Sequence, residues 1–338
     1  MQPRALCRLL RCVVLLLVTA TTLLMMSSPG SATCSGLQGT FLQLTDAQAA
    51  RPAEDWPQLI NELRSIGIDN LFLQWTVVDR KAFFHTAQFE TPARTPLPYI
   101  LDLAKHSGIR VWIGLAADTR YWENIKQNAD FLRVYFHKRL QDLTGFLNDL
   151  NTTISDAPFA GWYIPDEIDD RTWLDPSKRA VLTKYLADTV SLLKARRPGA
   201  KVAISGFSNS FAEPDLLAAF WGDLLKSAGI DLLLFQDGVG EGKVAIEDIA
   251  LYYGPLDGAV RRAGAQLGAV VELFSLMPSG RRVPAMIGRI REQIAAADRL
   301  TSFPPVAFSV PDYMSSLAGQ QAGGLLTNFL ATQKGCRR

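Results

Sequence analysis

Residues 67–75 read Gly-Ile-Asp-Asn-Leu-Phe-Leu-Gln-Trp. A glycine closes an amphipathic stretch, and a short apolar run begins three residues later. The stretch before it, Trp56–Ile66, sets Leu59, Ile60, Leu63 and Ile66 at helical spacing. A glycine just past such a pattern suits the left-handed cap that ends a helix. The run after it, Asn70–Trp75, has the length and apolarity of a buried parallel strand. The same junction returns at Gly108-Ile109-Arg110 and at Gly229-Ile230-Asp231. The repeating unit is therefore a helix, a glycine and a strand.

Working outward from that unit, eight such runs can be marked: Gly39–Leu44, Asn70–Trp75, Arg110–Leu115, Gly161–Glu167, Lys201–Phe207, Asp231–Gln236, Gly268–Phe274 and Val306–Val310. Helical patterns fill the gaps: Leu97–Lys105, Asp130–Leu150, Ser177–Arg197, Asp215–Ser227, Ile246–Arg262 and Ala285–Leu300, with Gly323–Thr332 after the last strand. Eight strand-then-helix units over about 300 residues predict an α/β fold, a single-domain (β/α)8 TIM barrel. The competitor is an open doubly wound sheet. It lacks support because no Gly-x-Gly-x-x-Gly opens the first helix, and for the same reason no dinucleotide cofactor is expected.

The chain of 338 residues is 48% hydrophobic and 20% charged, a globular composition. Lys and Arg number 35 against 33 Asp and Glu, so no electrostatic field is available to grip nucleic acid. The three histidines (His85, His106, His137) and four cysteines (Cys7, Cys12, Cys34, Cys336) show no metal-ligand spacing, and no metal or cofactor is expected. The acidic run Asp166, Glu167, Asp169, Asp170 is a weak alternative as a cation site, since it lacks the glycine and ligand pattern of a calcium loop.

Residues 1–32 read as a secretory signal: Arg4, Arg8 and Arg11, an apolar run from Val13 to Met26, then small residues. The alternative is a retained N-terminal anchor. Cleavage near Ala32 leaves residues 33–338 as the barrel domain, exported to the periplasm or beyond, with no membrane span. It removes three of the 35 basic residues and no acidic one, leaving 32 against 33. Cys34 and Cys336 then stand at opposite ends of the chain. In a closed barrel those ends are neighbours, so the two cysteines either pair after export or remain free thiols.

Alternate residues of a barrel strand face the helices and the interior. Placing the apolar phase outward (Leu42 and Leu44, Leu71 and Leu73, Trp162 and Ile164, Val202 and Ile204, Leu233 and Phe235, Val271 and Leu273, Phe308 and Val310) leaves a polar set inside. That set is Gln43, Gln74, Glu167, Ser205, Gln236, Glu272 and Ser309, at or near the carboxyl ends of the strands, with Tyr163 below Glu167. Active sites of this fold lie at that face. Two of these residues are carboxylates with no Lys or Arg in the same ring, which favours a functional cup over a self-satisfied polar network.

Two carboxyls, one protonated and one ionised, are what glycoside cleavage needs. Asp166 beside Glu167 is a like charge expected to raise the pKa of Glu167, which suits a general acid. Glu272, flanked by Val271 and Leu273, is read as the nucleophile. Aromatics crowd the same strand ends: Trp75, Tyr121, Trp122, Trp173, Phe207, Phe274 and Tyr313. Sugar rings stack on such faces, and Asp118, Asp166, Asn209, Asp237 and Asp312, with the three glutamines, are candidate partners for their hydroxyls. The expected ligand is a carbohydrate.

The motifs GTFLQL, GIDNLFLQW, GWYIPDEID, ISGFSN, LLLFQDGVG, VVELF and FSVPDYM resemble a bacterial TIM-barrel family, domain of unknown function 4434, over nearly all of residues 37–333. That family is grouped with the glycoside hydrolase barrels. More remotely, a glutamate after strand four and another after strand seven are similar to the large clan of retaining glycosidases. The likeness implies Glu167 as acid/base and Glu272 as nucleophile. The clan usually has Asn before its acid, where this chain has Asp166. The expected function is an exported, retaining glycoside hydrolase acting on a poly- or oligosaccharide. The alternative is a non-catalytic carbohydrate-binding barrel attached to an exopolysaccharide system.

Overall fold

The computed structural model describes residues 36–334. The expected signal segment, Cys34 and Cys336 lie outside the described residues. Eight parallel strands close into a barrel: β1 (Gly39–Leu42), β2 (Asn70–Leu73), β3 (Arg110–Gly114), β4 (Phe159–Asp169), β5 (Val202–Phe207), β6 (Leu232–Gln236), β7 (Gln266–Glu272) and β8 (Phe303–Phe308). Each pairs with its sequence neighbours, and β1 pairs with β8 through Gly39–Val306 and Thr40–Ala307. The TIM barrel is confirmed. Helices Asp55–Ile66, Pro96–His106, Ala129–Thr153, Pro176–Arg196, Pro214–Ala228, Ile249–Arg262 and Ile287–Asp298 connect the strands, and Gln320–Lys334 follows the last. Gly67 (φ 98°) and Gly229 (φ 72°) are the left-handed caps that their positions predicted.

Two apolar compartments result from the strand alternation. Between strands and helices lie Leu42, Leu71, Leu73, Trp162, Ile164, Val202, Ile204, Leu233 and Val271. Inside the barrel lie Phe41, Phe72, Trp112, Tyr163, Ala203, Leu232, Leu234, Val270 and Val306. The interior is unusually aromatic: Phe72 stacks on Trp112 with ring centres 5.2 Å apart. Room for that indole comes from Gly161, where a Cβ would stand 2.4 Å from the ring of Trp112.

Strand β8 corrects the sequence reading. Phe308 was expected to face the helices and Ser309 the interior. Instead Val306 and Phe308 share the inner face, while Ala307 faces the helices. A phase chosen by apolarity alone fails here, because both faces of this strand end are apolar. Ser309 is buried, donates to the Asp312 carboxylate and does not line the cavity at the barrel mouth.

Two short sheets decorate the carboxyl-end face. Val77–Val78, Lys81–Ala82 and Ala116–Ala117 form one, and the hairpin Phe274–Leu276 with Arg282–Pro284 the other. Among the described residues no helix is long and apolar enough to cross a membrane.

Candidate active site

The barrel mouth opens into a cavity of about 420 Å³. Its floor and walls carry Gln43, Gln74, Glu167, Gln236 and Glu272, which are five of the seven residues assigned to the polar ring. Ser205 lies below them, its hydroxyl 2.6 Å from the hydroxyl of Tyr163, so Tyr163 forms the floor and is fully buried. The aromatics Trp122, Phe207, Phe274 and Tyr313 rim the cavity as expected, joined by Phe308. Trp122 and Phe207 lean together with ring centres 5.7 Å apart, and Phe274 meets Tyr313 at 5.2 Å.

Glu167 closes the inward phase of β4. Its Oε1 accepts a hydrogen bond from Gln236 Nε2 at 2.9 Å. Burial raises its pKa, opposed by that hydrogen bond and by the positive charge of Lys243. Glu272 ends β7 with 3% of its surface exposed. One of its oxygens accepts the backbone N–H of Glu241 at 2.9 Å. Burial, with the nearby charge of Asp237, pushes Glu272 up to about 8. Gln43 Nε2 donates to Gln74 Oε1 at 2.8 Å, which fixes both amides across the strand pair.

Two electrostatic expectations change. Asp166 is not the cause of the raised Glu167. The alternation that turns Glu167 inward turns Asp166 outward, where it is buried against Arg139 Nη2 (2.6 Å) and the Tyr185 hydroxyl (2.8 Å). Glu272 is not free of charged neighbours, because Asp237, just after the adjoining strand β6, and Glu241 of the following loop stand close to it.

Several expected sugar contacts stand elsewhere. Asp166 is locked in the ion pair just described. Asp237 follows inward-facing Gln236 and so points outward, accepting from Gln293 Nε2 at 2.6 Å in the core. Asp118 accepts from the Tyr135 hydroxyl (2.6 Å) and Asn124, and it lines a separate cavity of about 590 Å³ on the flank of β3 and β4. That cavity is larger, but its acids are held by local partners, while the mouth of the barrel carries the facing glutamates. Tyr121 is buried, with its hydroxyl on the carbonyl of Glu167 at 2.9 Å, and so positions β4 without lining the mouth. Trp75 packs in the outer layer and donates to the Leu44 carbonyl. Trp173 is fully buried. Asn209 presents its backbone N–H to Asp170, and Asp312 accepts from Ser309.

The acidic run disperses. Asp169 caps Thr172, and Asp170 takes Ser208 and the N–H groups of Asn209, Phe211 and Ala212. Among the described residues no group of three His, Cys, Asp or Glu is placed to hold a metal ion.

Three charged residues of the cavity were not anticipated: Glu241, Lys243 and Arg282. They come from the loop after β6 and from the Arg282–Pro284 strand of the hairpin, segments without periodic pattern. The one available signal was the glycine-rich run GVGEG at 238–242, directly after a strand end.

Comparison with known proteins agrees with this architecture. A candidate alpha-L-fucosidase from Bacteroides thetaiotaomicron superposes with a TM-score of 0.72 at 18% identity, over 87% of this chain and 95% of that one. A chitinase from Pseudoalteromonas aurantia and an endo-1,4-beta-mannanase from Rhizomucor miehei each reach 0.54 at 14% identity, over 88% and 89% of this chain and 98% and 95% of theirs. At these identities the likeness is one of fold. By sequence, the uncharacterized protein YbcH of Escherichia coli (strain K12) is 29% identical over 262 residues, 74% of this chain and 80% of that protein. The sequence profile of the family described as domain of unknown function (DUF4434) matches residues 37–319, and the chain belongs to that family.

Proposed function

We propose that the protein is an exported glycoside hydrolase that cleaves a poly- or oligosaccharide by double displacement, with Glu167 as general acid/base and Glu272 as nucleophile. The observation that carries this reading is the convergence of two glutamates, from β4 and β7, on one open cavity furnished with three amides and an aromatic rim. Burial favours the protonated form of Glu167, as a proton donor to the leaving oxygen requires. The nucleophile must be ionised; Glu272, held up to about 8 by burial and Asp237, reaches that form as pH rises toward this value, and the Glu241 N–H is the contact that favours it. The acid/base later removes a proton from the water that releases the sugar. Gln43, Gln74 and Gln236 supply hydroxyl partners, and Trp122, Phe207, Phe274 and Tyr313 supply stacking faces. The fold neighbours described as glycosidases support the same reaction class. Export rests on the basic, apolar, then small-residue order of residues 1–32.

The test is reducing-end release from a panel of glycans by wild type, Glu167→Gln and Glu272→Gln. Each variant is expected to lose about 10²–10⁴-fold in kcat or more. Proton NMR of the first-formed anomer should show retained configuration. A protein that binds a glycan, never cleaves it and keeps its affinity in both variants is a carbohydrate-binding barrel, and the hydrolase reading ends.

A further inference from the structure

We propose that the glycan held at the barrel mouth carries a negative charge, as a uronate carboxylate or a sulfate ester, and that Lys243 is the residue that recognises it. This rests on the carbohydrate reading of the cavity and names the substrate class within it.

Five charged side chains line the cavity: Glu167, Glu241, Lys243, Glu272 and Arg282. Four have polar partners. Arg282 reaches Glu241 Oε1 through Nε at 2.7 Å and Nη2 at 2.6 Å, with its guanidinium also over the Phe274 ring at 5.3 Å. Glu167 is bonded to Gln236, and Glu272 to the Glu241 N–H. Lys243 differs. Among the described residues its ammonium forms no ion pair, and it rests over the face of Phe207, 3.9 Å from the ring centre. Its backbone is tied down on both sides, with its N–H on the Gly238 carbonyl at 2.9 Å and its carbonyl accepting from the Ser210 hydroxyl at 3.0 Å. The side chain is therefore delivered to the cavity from a fixed point, on a flexible four-carbon stem.

That placement conflicts with a neutral ligand in two ways. Phe207 is one of the rings on which a sugar would stack, and the ammonium covers its face. Stacking requires the lysine to leave, and a neutral glycan gives it no new partner of opposite charge. The second conflict concerns Glu167. The positive charge of Lys243 draws the proton off Glu167, against the direction that burial sets and that an acid needs. An anionic substituent resolves both conflicts. It draws the ammonium from Phe207 into a charge-assisted pair, and it cancels the charge that opposes protonation of Glu167. Arg282 cannot take this role without releasing Glu241, whose backbone holds Glu272.

The experiment is isothermal titration of the full chain with oligogalacturonate, oligoalginate and carrageenan oligosaccharides, against neutral galacto- and manno-oligosaccharides. It is run at about 0.15 M salt, where distant surface charges are screened. At least one anionic class should bind about tenfold or more tighter than its neutral counterpart. Lys243→Met should bring that ratio near one, and Lys243→Arg should retain most of it. The uronate and sulfate arms identify which group is read. The proposal is overturned if neutral glycans bind as well as anionic ones, if no anionic glycan binds, or if the preference survives Lys243→Met. Bond cleavage is read in the same samples. Anionic preference without cleavage sustains Lys243 as the selector and removes the hydrolase, whereas cleavage of neutral glycans alone does the reverse.

Discussion

Glu167 and Asp166 are adjacent in sequence and have opposite roles, decided by the two-residue period of a strand. One faces the barrel mouth; the other faces Arg139 and Tyr185 between strand and helices. Glu272 shows the electrostatic consequence of the inward position most clearly. Its carboxyl is held up to about 8 by burial and by Asp237, against an ordinary value of 4.5. Between those values the folded protein binds a proton that the unfolded chain releases. This contribution to stability is therefore fully present below about pH 4.5 and is lost as pH rises toward 8. The slope from one such group cannot exceed about 1.4 kcal/mol per pH unit. Urea unfolding at several pH values should show wild type losing stability relative to Glu272→Gln across that window. Parallel curves for the two proteins would mean that Glu272 titrates normally.

At the scale of elements, part of the candidate site is assembled by segments that carry no periodic pattern. The loop after β6 passes so close to the end of β7 that a Cβ on Gly240 would stand 2.5 Å from the Phe274 carbonyl and 2.8 Å from Glu272. No real contact is that short, so Gly240→Ala should push the loop outward and detach the Glu241 N–H from Glu272. We expect a loss of about tenfold or more in kcat with only a small change in Tm, since the loop lies outside the barrel core. Unchanged kcat would show that this N–H has no part in the reaction. The helices and six of the seven strand phases that were read were legible beforehand, because burying one face imposes a period on the residues. Strand β8 was misread where both phases are apolar. The loop residues Glu241, Lys243 and Arg282 were missed because a loop's side chains are aimed by its turns.

For the molecule as a whole, closure joins the two ends of the barrel. Thr40 bridges the seam, its hydroxyl donating to the Ala307 carbonyl and accepting the Val310 N–H at 3.0 Å. The helix Gln320–Lys334 lies beyond the matched family profile yet buries Ala322, Leu325, Leu326 and Phe329. Each large apolar side chain so buried contributes about 1.5–3 kcal/mol, against a total stability of about 5–15 kcal/mol for a typical domain. A chain ending at Gly319 should therefore retain little cooperative unfolding in a urea titration followed by circular dichroism. A truncated chain with the full transition midpoint would make the helix an accessory.

Hydrophobic period and glycine punctuation by themselves determined that this chain alternates strand and helix eight times, and that two glutamates and three glutamines point the same way. Those are local constraints, imposed residue by residue on any segment that buries one face. Only the closed barrel decided which acids share a cavity and which are spent on Arg139, Gln293 or a turn. It also decided that a loop lysine stands beside them with no ion pair among the described residues. Those relations join residues tens of positions apart, and their geometry comes into being only when the chain is packed.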